Sequence, residues 1–310
     1  MTTQSNAIPD SHLNSQAIAS AALSPTRPMY WSIRRELWEN RSIYAAPLIA
    51  AGVVLIGFLI SLRFLPMKMR AATLFNPMQQ HEFIQKPYHL ASFLIMGAAF
   101  LVAVFYCLDA LHSERRDRSI LFWKSLPVSD LTTVLSKATV PLVILPLLAF
   151  AITVVTQWIM LLLSSLVLAS SGPSLAMLWS ELPLFPMSVM LLYHLVTVHV
   201  LWYAPIYAWF LLVSGWARRA TFLWAVLPPL AICVIEKIAF NTSYFATWLG
   251  SRFVGGTDGA NYAAASMSMD PMAQFHLGRF LINPELWIGL ALAAAFLAAA
   301  ARLRRYQGPI

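Results

Sequence analysis

Between Lys137 and Glu181 the chain runs for 43 residues without one Asp, Glu, Lys or Arg. Crossing roughly 30 Å of hydrocarbon takes about 20 apolar residues at about 1.5 Å per residue, so such a window reads as membrane helix. Five more windows are free of these charges: 42–62, 90–108, 182–217, 220–235 and 286–301. With 59% hydrophobic and 11% charged residues, against roughly a quarter charged in soluble domains, the chain is expected to be an all-α integral membrane protein. Six spans are predicted, at about 44–62, 90–108, 138–168, 188–213, 220–240 and 284–302. Ser170, Ser171, Gly172 and Pro173 break the chain after the third, and Pro205 should kink the fourth. The fifth must continue past Glu236 and Lys237, and the sixth crosses if Arg302 snorkels.

Orientation follows from the flanks, because cytoplasmic loops carry the excess of Lys and Arg. With both termini inside, fourteen basic residues fall on the cytoplasmic side and seven outside. The net charge of +8 is then mostly a property of the inner face, attracted to anionic head groups and acidic partners. Nucleic acid is a poor partner, since these residues are spread over four short segments. Residues 1–28, polar and without a basic start or an apolar run, read as a disordered cytoplasmic tail ahead of one transmembrane domain, 29–310. Cys107 and Cys233 both lie in apolar windows and read as packing residues.

Met29 to Tyr44 alternates aromatic or aliphatic and basic groups. It predicts an amphipathic interfacial helix, with Trp31, Arg34, Arg35, Leu37 and Trp38 at the lipid head groups. The loop 112–138 is richer. Glu114, Arg115, Arg116 and Arg118 open it with charge, and Ile120, Leu121, Phe122 and Trp123 then put large apolar groups on a cytoplasmic segment. Leu126 and Pro127 should end that helix, and Ser129 with Asp130 should cap the next. An apolar knob rimmed by charge is what docking to a soluble protein requires.

The run from Glu114 to Asp130, ERRDRSILFWKSLPVSD, followed by Lys137 just ahead of a span, resembles the cytoplasmic loop of ABC-2 type permeases, the membrane subunits of one class of ATP-binding cassette exporter. The resemblance implies that Arg118–Trp123 forms a coupling helix seated in a cleft of a nucleotide-binding subunit. It also makes Met29–Tyr44 the connecting helix before span one. A basic residue stands at Arg118, near which the family often has Gly or another small residue. Two ATPase copies and a second permease subunit, identical or not, would complete the complex in a bacterial-type plasma membrane. The cargo class the resemblance suggests is a small hydrophobic or amphipathic compound or a peptide.

The chain has no G-x-x-x-x-G-K-[S/T] motif, and no Gly is followed by Lys, so no phosphate cradle can be built and the chain is not expected to be an enzyme. ATP and Mg belong to the partner, and no cofactor or metal is expected here. Neither H-E-x-x-H nor G-x-S-x-G occurs. His194 and His199, five apart, lie about 140° apart around an α-helix and should not share a face. Glu236 and Lys237 could line a path or gate. The outer loop 241–285 is long, and Tyr244, Phe245, Trp248, Leu249 and Phe253 suggest a helix on the outer leaflet. Two further readings compete: a scaffold that recruits a soluble partner through the same loop, and copper handling through Met67, Met69, Met267, Met269 and Met272.

Overall fold

The computed structural model describes residues 26–125, 128–171, 175–254 and 277–308. Residues 1–25 of the expected tail, the helix break at Leu126 and Pro127, and the Met267–Met272 cluster lie outside them, while residues 26–28, expected to belong to the tail, are already helical. Every regular element among the described residues is helical. Six helical stretches are long and apolar enough to cross a membrane: Ser42–Leu62, Pro77–Arg116, Asp130–Ala169, Leu175–Trp202, Thr221–Phe240 and Pro284–Tyr306.

Helix α1 (Thr26–Glu39) precedes span one, α2 (Ser42–Leu62), and the short α3 (Leu65–Ala72) follows it. Span two is α4 (Pro77–Asp109), which leads into α5 (His112–Arg116) and α6 (Ser119–Ser125). Span three starts as α7 (Asp130–Thr139), passes through a π-helical stretch (Val140–Ile144) and continues as α8 (Leu145–Ser171). Span four, Leu175–Trp202, comprises α9 (Leu175–Glu181), α10 (Leu184–His194) and a second π-helical stretch (Leu195–Trp202), and the shorter apolar helix α11 (Ala204–Trp216) follows it. Span five is α12 (Thr221–Phe240); α13 (Tyr244–Val254) and α14 (Leu277–Ile282) precede span six, α15 (Pro284–Tyr306).

The interfacial helix ends at Glu39, five residues short of the expected limit, and Tyr44 already belongs to span one. Span two begins thirteen residues earlier than its charge-free window. Asn76 in an extended conformation and Pro77 in the first turn start the helix, the position where a missing N–H costs nothing. The polar first turns are then held from outside: His81 Nδ1 lies 2.8 Å from Glu181 Oε2, and Gln85 Nε2 donates to the Glu181 carbonyl at 3.0 Å. At 33 residues α4 is about 50 Å long, so one end must project beyond the hydrocarbon.

Lipid is as apolar as leucine, so association rests on close packing and interhelical hydrogen bonds. Ile95, Ala99, Ala103 and Cys107, four apart along α4, bury one stripe against Ile43 and Ala51 of α2, Leu145 and Ala149 of α8, and Tyr207 and Leu211 of α11. Nearer the other end Phe58, Ile84, Tyr88, Met160 and Leu168 form a second cluster. Gln157 Nε2 ties α8 to α4 through Ser92 Oγ at 2.9 Å and the Tyr88 carbonyl at 3.3 Å. Span five is the least enclosed, with only Ala225 of α12 buried.

The π-helical stretches sit where proline interrupts the ladder. Pro141 lies inside the first, and the second closes with the Tyr203 N–H donating to the Val198 carbonyl five residues back, two residues before Pro205. This corrects the expectation for the two span-four histidines. In a π-helix the i to i+5 bond brings residues five apart onto one side, and the rings of His194 and His199 meet edge to face, 5.7 Å between centroids.

Glu36, Glu114 and Arg304 meet at one end of the bundle, so both described chain ends lie on the same side, with Leu74 at the other. In a background lacking Cys107 and Cys233, Trp38→Cys and Tyr306→Cys are expected to react with an impermeant maleimide from the same face of membrane vesicles. Leu74→Cys should react from the opposite face; labelling of all three from one face would contradict the arrangement.

Candidate functional site

At the end shared by α1, α5, α7 and α15, ionised side chains converge out of water. Glu36 is 2% exposed and Glu114 5%. Glu36 Oε1 accepts from Lys137 Nζ at 2.8 Å and from Arg35 Nη2 at 2.9 Å, while Oε2 accepts from the Tyr106 hydroxyl at 2.8 Å. Glu114 Oε1 accepts from Arg35 Nη2 at 2.9 Å and pairs with Lys137 Nζ at 3.2 Å; its Oε2 accepts from Arg304 Nη1. Arg304 also pairs with Asp130 at 3.1 Å. Three cations thus face these three carboxylates, and the more exposed Glu39 pairs with Arg35 at 3.3 Å. Several kcal/mol of desolvation per ion is offset because each glutamate meets at least two cations and the remaining lone pair of Glu36 takes a hydroxyl. Burial works against the charged form of Arg35, but Glu36, Glu39 and Glu114 together hold its pKa above the ordinary value.

The sequence accounts for this convergence locally. Span two continues past Asp109 because Ser214 Oγ of α11 accepts the N–H groups of Leu111 and His112 at 2.9 and 3.0 Å. Ser129 caps α7 as expected, its side chain accepting from the Thr132 N–H, which sets Asp130 and Lys137 two turns apart on the inward side. Between α5 and α6 the backbone turns sharply at Arg118, whose φ of 58° is left-handed. That conformation costs an L-residue roughly 1–2 kcal/mol, and glycine, which has no Cβ, would adopt it freely.

The expected docking residues separate into two groups. Glu114, Arg115 and Ile120 are buried, which corrects their placement on an outward face. Arg115 Nη1 donates to the Gly215 carbonyl at 2.6 Å and Ile120 roots α6 in the protein. Arg116, Arg118, Leu121 and Phe122 are exposed, Leu121 at 58% and Phe122 at 59%. Trp123 lies between the groups, half-buried, with the Arg35 guanidinium 3.7 Å above its ring. The helix expected over 118–123 runs from Ser119 to Ser125. On α1, Trp31 and Trp38 point outward with Arg34 at 5.2 Å from both rings, and Leu37 packs on the core. Arg35 is the correction there: it turns inward to the carboxylates.

At the opposite end Glu236 is engaged by the next helix. Its Oε1 accepts from the Thr242 hydroxyl at 2.9 Å and the Tyr244 N–H at 2.6 Å, and its Oε2 from the Phe245 N–H at 2.9 Å. This carboxylate at the start of α13 is a helix cap, and capping accounts for it without a path or gate. Lys237 is exposed. Met69 is buried in the second cluster while Met67 points out, so the two thioethers do not face one ligand.

Sequence reasoning missed Arg252, counted only as a flank charge. It is fully buried, its guanidinium 4.2 Å from the Trp202 ring and 5.3 Å from that of Trp248, with Nη2 donating to the Glu285 carbonyl. Desolvation lowers its pKa. A Cβ at Gly289 would come within 2.6 Å of Nη1, so glycine there lets the cation lie against α15. The only signal was Trp248 four residues before it. Beside it, α11, α12, α13 and α15 enclose an apolar cavity of about 390 Å³.

Glu114→Ala is expected to leave Lys137 and Arg304 without their shared carboxylate and to cost about 3–5 kcal/mol. This would appear as a fall in Tm in detergent that Lys137→Met partly restores. Arg118→Gly should hold or raise that Tm, and Arg118→Val should lower it, because a β-branched residue resists positive φ. No family model, curated protein or solved structure matches the chain.

Proposed function

We propose that this chain is the membrane-spanning subunit of an ATP-driven exporter of the ABC-2 permease type, energised by a separate nucleotide-binding subunit that seats on α6. The observation that carries the reading is a seven-residue helix that turns Leu121 and Phe122 outward while its root is held by a buried ionic cluster. Large apolar groups on a polar loop call for a partner surface, and a mechanical partner calls for a rigid mount. In this reading the cluster-bearing end faces the cytoplasm of a bacterial-type plasma membrane.

The mechanism is one of coupled motion. Nucleotide-driven closure of two ATPase subunits displaces α6. The displacement passes through Glu114 to Lys137 on span three, Arg304 on span six and Arg35 on α1, and shifts the spans between inward-open and outward-open arrangements. Six spans make half of a pathway, so a second permease subunit completes it. ATP and Mg bind the partner. The cargo is a small hydrophobic or amphipathic compound or a peptide.

Leu121→Asp with Phe122→Asp places two carboxylates in the contact, and the purified variant should lose a co-purifying P-loop ATPase and its ATP turnover by at least tenfold while keeping wild-type Tm. Retention of the ATPase by this variant would remove the docking role. An ATPase that stays bound to the wild type, yet whose turnover in proteoliposomes no transported compound alters, would favour the scaffold reading.

A further inference from the structure

A cleft of about 500 Å³ opens between α2, α3 and α4 at the end of the bundle away from the ionic cluster. This is within the roughly 300–1,000 Å³ of ligand pockets. Its walls are apolar. Along α2 they run from Val53 through Gly57 to Ser61, and along α4 from Leu94 back past Lys86 to Phe83, with the edge-to-face rings of Phe58 and Tyr88 behind. The nine residues from Val53 to Ser61 make the α2 wall about 12 Å long. The space beside Gly57 is open, since a Cβ there would meet nothing within 4 Å.

Charge is confined to one place. Lys86 of α4 and Lys68 of α3 are the charged residues among those lining the cleft; both are exposed, and no carboxylate lines it. Neither lysine forms an ion pair among the described residues. On this side Glu181, partly buried, pairs with His81 at 2.8 Å, and Glu82, one turn before Lys86 on α4, is exposed and forms no ion pair among the described residues. An apolar trough with two cations at its mouth is complementary to an anion carrying a long hydrocarbon chain, and to neither a zwitterion nor a neutral lipid in the same degree.

We infer that this cleft holds an anionic phospholipid, its phosphate between Lys68 and Lys86 and one acyl chain along Gly57 and Leu94. The site is independent of the permease reading, for it uses none of the residues of the α6 face or of the ionic cluster.

The test uses the full-length chain in detergent, offered phosphatidylglycerol or phosphatidylcholine of identical acyl chains and read by native mass spectrometry. The wild type should retain phosphatidylglycerol at least about tenfold better, as two lysines near an anionic group imply. Lys68→Gln with Lys86→Gln should bring the two lipids to equal retention. Gly57→Phe, which fills open space, should reduce retention of both with Tm unchanged. Equal retention of the two lipids by the wild type, a preference that survives loss of both lysines, or full retention by Gly57→Phe would each overturn the inference. So would a cleft covered by a second copy of the chain, seen as a dimer that carries no lipid.

Discussion

The arrangement of the bundle at its charged end depends on one carboxylate. Glu114 is reached by Arg35, Lys137 and Arg304, which arrive on three different helices. In a medium where an unpaired buried charge costs several kcal/mol, the helices that carry those cations have no other place to end. Dispersion packing among alanines and leucines would allow many registers of near-equal energy; a three-cation contact allows one. The short α6 inherits its position from this constraint, because Ile120 and Trp123 are pressed on to the same platform.

The same principle explains why the opposite end looks different. There the polar groups are handled in pairs and caps: His81 with Glu181, Glu236 with the first N–H groups of α13, and Arg252 between two indoles. The first two each join two elements, and Arg252 alone ties three, α13 to Trp202 of span four and to the start of α15. The end with the network is therefore built as a unit, and the other as a set of separate closures.

Spans were legible because hydrocarbon imposes a length on uncharged sequence, and each of the six windows meets a long apolar helical stretch, although the fourth runs from Leu175 to Trp202 and not over 188–213. Their limits were not, wherever partners in distant sequence rescue polar residues: Glu181 lies about a hundred residues from the His81 and Gln85 that it holds in α4. The exposed Leu121 and Phe122 could be read from the loop, since apolar groups among charges stand out. That Glu114 and Arg115 turn inward could not, because their partners are Arg304 and the Gly215 carbonyl, and no local spacing encodes such meetings. The face shared by His194 and His199 was misjudged for a definite reason: angular arithmetic assumed an α-helix, and Pro205 is preceded by wider turns.

Lys124, the last charged residue of α6, donates to the carbonyls of Arg305 and Gln307 at 3.4 and 3.1 Å. These oxygens belong to the final turn and exit of α15, where a cation completes the orphaned acceptors and meets the negative end of the dipole. The loop after span two is thereby strapped to the far terminus of the polypeptide, nearly two hundred residues on. Among the described residues the loop and the last helix thus close a ring of contacts.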